Sequence, residues 1–177
     1  MAGSCAKCHT ATGLPQYIAE GTNISNEPTS GLWCQTCHNV SEFPAVYEDE
    51  SVKFPSGAML SFEEKPSANL CLNCHQGRES TVSVNAAIGE NDPDVVVEGL
   101  SFINVHYFAA GSTLFGTEAK GVYEYGEKTY LGQNQHITGF KSCIDCHDVH
   151  GLEVRTEVCQ GCHQQEDPKN IRLSYLE

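Results

Sequence analysis

The sequence predicts a mostly irregular chain with short α-helices and one small β-hairpin, and three observations predict it. Apolar residues make up 40% of its 177 positions, below the share of an ordinary globular domain. Sixteen glycines and seven prolines interrupt almost every stretch that could hold a long helix or strand. Cysteine, by contrast, is abundant, with ten copies. A chain this short of aliphatic core must be organised by something other than a large side-chain core.

Taken in order, the elements are brief. Short helices are expected to carry the cysteine pairs themselves. Residues 78–88 read as a helix stopped by Gly89. Residues 101–110 read as another, with Phe102, Val105, His106 and Ala109 at spacings of three and four. Residues 122–125 and 128–130 read as the hairpin, turning at Gly126-Glu127. The chain reads as one domain over 1–177 with a bridging segment over 76–142; two independent modules are the alternative. No run approaches eighteen apolar residues, which rules out a membrane-spanning helix.

All ten cysteines fall in C-x-x-C pairs, and a histidine follows every pair. The five sites are Cys5, Cys8 and His9 (5–9); Cys34, Cys37 and His38 (34–38); Cys71, Cys74 and His75 (71–75); Cys143, Cys146 and His147 (143–147); and Cys159, Cys162 and His163 (159–163). C-x-x-C-H is the attachment pattern of c-type haem. Two thiols on one turn reach the two vinyl groups of one porphyrin, and the next residue brings its imidazole to the iron from the same side. Five motifs with no cysteine left over imply five haem c groups. Zinc ribbons need two pairs per metal, and they give no reason for a histidine after each pair. Paired so closely, the cysteines cannot staple distant segments within a pair. A thioredoxin-like site would need a βαβ context that the sequence lacks.

With these motifs the chain resembles the multihaem c-type cytochromes. The resemblance extends to Cys74-His75-Gln76-Gly77-Arg78, Asn104-Val105-His106-Tyr107-Phe108-Ala109-Ala110 and Cys146-His147-Asp148-Val149-His150-Gly151, which look like segments of respiratory and extracellular multihaem cytochromes. It implies a multihaem cytochrome fold organised around a chain of haems. It specifies the cofactor well and the physiological role poorly, because such proteins serve as wires, shuttles and reductases.

Ten Lys+Arg stand against 23 Asp+Glu, for a formal charge of −13. That excludes nucleic-acid binding, which needs cationic side chains at phosphates. Haem propionates take the holoprotein to roughly −18 to −23, which favours cationic partners. Attachment of haem c outside the cytoplasm makes the protein an exported one, periplasmic or extracellular at the cell surface. Met1-Ala2-Gly3-Ser4 leads straight into the first motif. The chain reads as a mature form, with a piece of a larger protein as the alternative.

His9, His38, His75, His147 and His163 are the expected proximal ligands, leaving His106, His136 and His150 as candidate distal ligands. His150 lies three residues after His147 and cannot turn round the porphyrin edge to the same iron, so it should serve a neighbouring haem. Five bis-histidine haems need ten histidines and the chain has eight. Met59, Met1 or its amine, a lysine, water, or a histidine from a different protein or a missing part of this one are the substitutes on offer. No histidine outside the motifs precedes residue 106, so haems one and two are the expected exceptions.

Electron transfer by hopping is the function this points to, since about 35 residues per haem cannot insulate one haem from the next. The partners would be other redox proteins or copies of the chain, including a conductive filament or larger respiratory assembly, and extracellular electron acceptors. No catalytic residue is assigned. The alternative is a reductase of a small nitrogen or sulfur oxyanion, which needs an open iron and a cationic pocket. The ten cations are spread out, and Arg78 is expected to neutralise a propionate.

Overall fold

The computed structural model describes residues 1–163 apart from Ser30, Pro93, Tyr107 and Asn134. Its backbone forms two compact units, Met1–Asn134 and Gln135–Glu177. Among the described residues the helices are short, a single two-stranded sheet is present, and the rest is irregular. This is the fold class the sequence predicts. No described helix is long and apolar enough to cross a membrane.

In the first unit, helices α1 (Gly3–His9) and α2 (Gly13–Glu20) meet at a tight corner. Thr10 Oγ1 donates to the Ala6 carbonyl at 2.8 Å and accepts the Gly13 N–H at 2.9 Å. A Cβ at Gly13 would lie 2.0 Å from the Ala6 oxygen, so only glycine fits. Helix α3 (Cys34–Cys37) docks on this corner, its Thr36 Oγ1 donating to the Ala11 carbonyl at 3.1 Å. Strands β1 (Val52–Lys53) and β2 (Met59–Leu60) pair antiparallel, Val52 opposite Leu60. Helices α4 (Asn69–His75), α5 (Thr81–Ile88) and α6 (Ala110–Phe115) complete the unit. Its core is small: Phe115 packs on Phe54 and Phe62, with ring centroids 5.8 and 5.5 Å apart. Leu72 is buried where α6 crosses α4, and a Cβ at Gly111 would come within 2.9 Å of it. The second unit holds α7 (Cys143–Cys146) and α8 (Thr156–Gln160), and an isolated bridge pairs His147 with Val154 in the loop between them.

Three element boundaries are instructive. The helix expected over 78–88 begins at Thr81 because Ser80 caps it, its Oγ accepting the Ser83 N–H at 3.3 Å. The helix expected over 101–110 does not form there; α6 starts at Ala110 instead. Asn104 Oδ1 takes the His106 N–H at 2.9 Å, and His106 and Phe108 adopt left-handed φ of 74° and 53°, which no helix accommodates. Tyr107, within that stretch, lies outside the described residues. The hairpin expected over 122–130 makes its turn, with the Lys128 N–H on the Tyr125 carbonyl at 3.0 Å, but no ladder. The 122–125 segment bonds to α5 instead: Thr81 Oγ1 donates to the Val122 carbonyl at 2.7 Å and accepts the Glu124 N–H at 2.9 Å.

The hairpin that does form lies at 52–60. Phe54 N–H bonds to the Ala58 carbonyl at 2.8 Å across Pro55-Ser56-Gly57, where Gly57 supplies φ 92°.

Candidate haem-binding sites

Each C-x-x-C-H motif lies on or at the end of one short helix, and in α1 and α4, which hold a whole motif, positions i, i+3 and i+4 share one face. Three of the motif histidines close that turn directly. The N–H groups of His38, His147 and His163 bond to the carbonyls of Cys34, Cys143 and Cys159 at 2.8, 2.9 and 2.8 Å. None of the ten cysteines is fully buried, and Cys34 and Cys162 are exposed.

The motif imidazoles are oriented from behind. His38 Nδ1 lies 2.9 Å from the Pro44 carbonyl oxygen, His75 Nδ1 2.6 Å from that of Phe108, and His147 Nδ1 3.4 Å from that of Leu152. A carbonyl only accepts, so Nδ1 carries the proton and the Nε2 lone pair is left for a metal. This is the back-side support that metal-binding histidines generally have.

Open concavities lie beside the first two motifs. A cavity of about 570 Å³ is lined by Leu32, Trp33, Cys34, Gln35, His38, Val40 and Phe43. A second, of about 350 Å³, is lined by Cys8, His9, Thr29, Gly31 and Leu32. Trp33, Val40 and Phe43 are all more than half exposed, an expense in water that a porphyrin laid on them removes.

Attachment points of different motifs adjoin one another. Cys8 Sγ donates to the carbonyl of Asn73, beside Cys74, at 3.8 Å, and the neighbouring thiol pulls Cys8 down to about 7 while pushing Cys74 up. Cys37 feels the neighbouring Cys71, and Cys146 feels Cys159. Motif three thus adjoins both motif one and motif two, and motif four adjoins motif five. Lys7 inserts beside Cys8 and Cys74 with its ammonium 4.3 Å from the centre of the Tyr17 ring, and burial holds its pKa below the usual lysine range.

Arg155 is the functional candidate that sequence reasoning missed. Its Nη2 donates to the carbonyls of Ile144 and Asp145, both at 2.9 Å, and its own N–H bonds to the Cys146 carbonyl at 2.8 Å. It therefore holds the end of α7 while standing four residues before Cys159. Its Nε is buried with no partner, a spare donor suited to a propionate. The only sequence signal was an arginine placed between two motifs.

Comparison with known proteins points the same way. No protein-family model and no solved structure matches the chain. It is 26% identical to the C-type polyheme cytochrome OmcB of Geobacter sulfurreducens over 198 aligned positions, covering 91% of this chain. It is 25% identical to the C-type polyheme cytochrome OmcC of the same species over 209 positions, covering 97% of this chain. The alignments take in 24% and 25% of those proteins, so the chain spans about a quarter of the curated relatives it matches. The chain is thus similar, over nearly its whole length, to C-type polyheme cytochromes.

The chain's remaining histidines are unevenly placed. His106 stands against His9, ring centroids 6.1 Å apart at an interplanar angle of 79°. His136 stands against His163 at 6.0 Å and 30°. His150 is exposed, its N–H held by Asp148 Oδ1 at 2.9 Å. The Asp148 carboxyl is held below its ordinary range by the N–H groups of Gly151 and His150. Met59 is 58% exposed on β2. The chain also keeps a left-handed backbone at His106, at a cost of about 1–2 kcal/mol for a residue with a Cβ.

Proposed function

We propose that this chain conducts electrons by hopping along five covalently bound c-type haems, acting outside the cytoplasm as one pentahaem domain over 1–177. The ten motif cysteines form the thioethers; His9, His38, His75, His147 and His163 hold the irons on one side, and His106, His136 and His150 are the distal candidates. His150 serves a haem other than that of motif four. Bound haem supplies a reversible one-electron centre. The chain's part is to fix spacing, ligation and local charge.

One observation carries this reading: Cys8 Sγ lies 3.8 Å from the carbonyl of Asn73, the residue before Cys74, although 65 positions separate Cys8 from Asn73 in sequence. A protein built to isolate a reactive iron would separate its attachment points, whereas one built to pass electrons brings them together. The net charge of −13 suits basic redox partners, with copies of the chain in a filament or larger assembly, or an extracellular acceptor, as further terminals.

Intact mass and film voltammetry test the proposal together. The expected mass exceeds the polypeptide by five haems, and the expected voltammogram shows reversible waves unchanged by nitrite or sulfite. A mass short of five haems overturns the count. A catalytic current with either anion overturns simple conduction in favour of a reductase.

A further inference from the structure

Two of the three histidines outside the motifs stand at a motif histidine, and the geometry of each pair is informative. A bond from a metal to an imidazole nitrogen is about 2 Å long, and that nitrogen lies about 1 Å from its ring centre. Two imidazoles on opposite sides of one iron therefore have centroids about 6 Å apart. The observed separations are 6.1 Å for His9 and His106 and 6.0 Å for His136 and His163. Opposed ligands can rotate about the axis they share, so interplanar angles as different as 79° and 30° both suit. All four rings are exposed, and bare imidazoles gain little from facing each other in water.

The loop bearing His106 has a second task. The Phe108 carbonyl receives His75 Nδ1 at 2.6 Å, and the Val105 carbonyl receives the Arg78 N–H at 2.9 Å. The stretch that sets a ring opposite the first motif's histidine thus also holds the back of the third motif's histidine. His106 and Phe108 both hold left-handed φ, 74° and 53°.

We propose that His106 is the sixth ligand of the haem held by Cys5, Cys8 and His9, that His136 is the sixth ligand of the haem held by Cys159, Cys162 and His163, and that the 104–108 loop couples ligation of the first haem to the potential of the third. This takes haem one out of the exceptions expected from sequence, and it makes His136 reach past motif four to motif five. The inference rests on covalent haem at the motifs, as proposed above.

The test uses the five-haem holoprotein and its H106A, H136A and double variants, each checked by intact mass. Magnetic circular dichroism and electron paramagnetic resonance count low-spin bis-histidine irons. H106A and H136A are each expected to convert one haem to high spin, and the double variant two. Full haem mass with an unchanged low-spin count overturns the ligand assignment, whereas a wild-type mass short of five haems overturns the underlying reading instead. Redox titration tests the coupling: two potentials move in H106A and one in H136A, and a single shift in H106A overturns it. If a variant fails to fold, a crystal structure of the wild-type holoprotein decides. His106 Nε2 bonded to the iron of His9 upholds the assignment, and any other ligand there overturns it.

Discussion

His75 Nδ1 lies 2.6 Å from the carbonyl oxygen of Phe108, a residue 33 positions later. A proximal imidazole that donates to a carbonyl gives more electron density to its metal and favours the oxidised state. Asn104 sets up this contact by holding the His106 N–H and turning the loop back. Asn104→Ala is therefore expected to loosen the loop and raise the potential of the third haem. Redox titration of the holoprotein checks it; unchanged potentials would dissociate the loop from the haem.

The motifs were legible because attachment chemistry is local: five residues suffice to state it, and each motif forms on or beside a short helix. The third-motif environment was not legible, since Phe108 acts through its backbone, which no residue type announces. The 101–110 segment misled for a related reason. Its apolar spacing is helical, but Asn104 offers the backbone a competing partner. The hairpin was misplaced because Thr81, far off in sequence, takes the backbone groups of 122–124. At 52–60 the signal was present in Pro55-Ser56-Gly57 and had only two residues of strand on each side.

The corner between α1 and α2 gives a controlled pair of substitutions. Gly13→Ala puts a methyl 2.0 Å from the Ala6 carbonyl, in a corner that also receives Thr36. Opening it is expected to cost about 3 kcal/mol. Gly21→Ala meets nothing within 4 Å and carries only the strain of φ 69°, about 1 kcal/mol. Denaturant unfolding of the two holoproteins should rank them in that order; equal losses would count against the corner as a structural hinge for motifs one and two.

Arg155→Gln removes a charge and the bonds to the carbonyls of Ile144 and Asp145. Bonds to charged groups contribute about 1.5–3 kcal/mol, so the end of α7 should loosen. Loss of positive charge beside Cys146 should also lower a haem potential in that unit. Arg155→Lys should restore part of the potential and little of the stability, because an ammonium cannot span two carbonyls in the guanidinium's geometry. Melting and redox titration separate the two effects.

Removing the haems should unfold much of the chain. Only eleven apolar residues are buried among those described, and they are offset against the entropy of ordering a mostly irregular backbone. The apoprotein is expected to give a disordered far-ultraviolet dichroism spectrum, and a cooperative melt would contradict this. Cys→Ala at any motif should cost stability as well as one redox centre.

The histidine count sets the sharpest limit. Eight histidines are present, and five of them follow cysteine pairs. With a haem at each motif, as proposed above, three are left for the far side of five irons, so no more than three haems per chain can be bis-histidine while each motif histidine keeps its own iron. Exchange between identical subunits does not relax this, because each histidine lent is one borrowed. At least two haems must then take another ligand or none. Met59, 58% exposed on β2, is one substitute, and its thioether would raise the potential of the haem it joins. Magnetic circular dichroism of the isolated chain is expected to show at most three bis-histidine signals, with the remainder methionine-bound, amine-bound or open. Cyanide separates the last class, since it binds readily only where a face is free. Four bis-histidine haems in a preparation of this chain alone would mean that a motif histidine has left its own iron, and five would refute the count, since they need ten histidines.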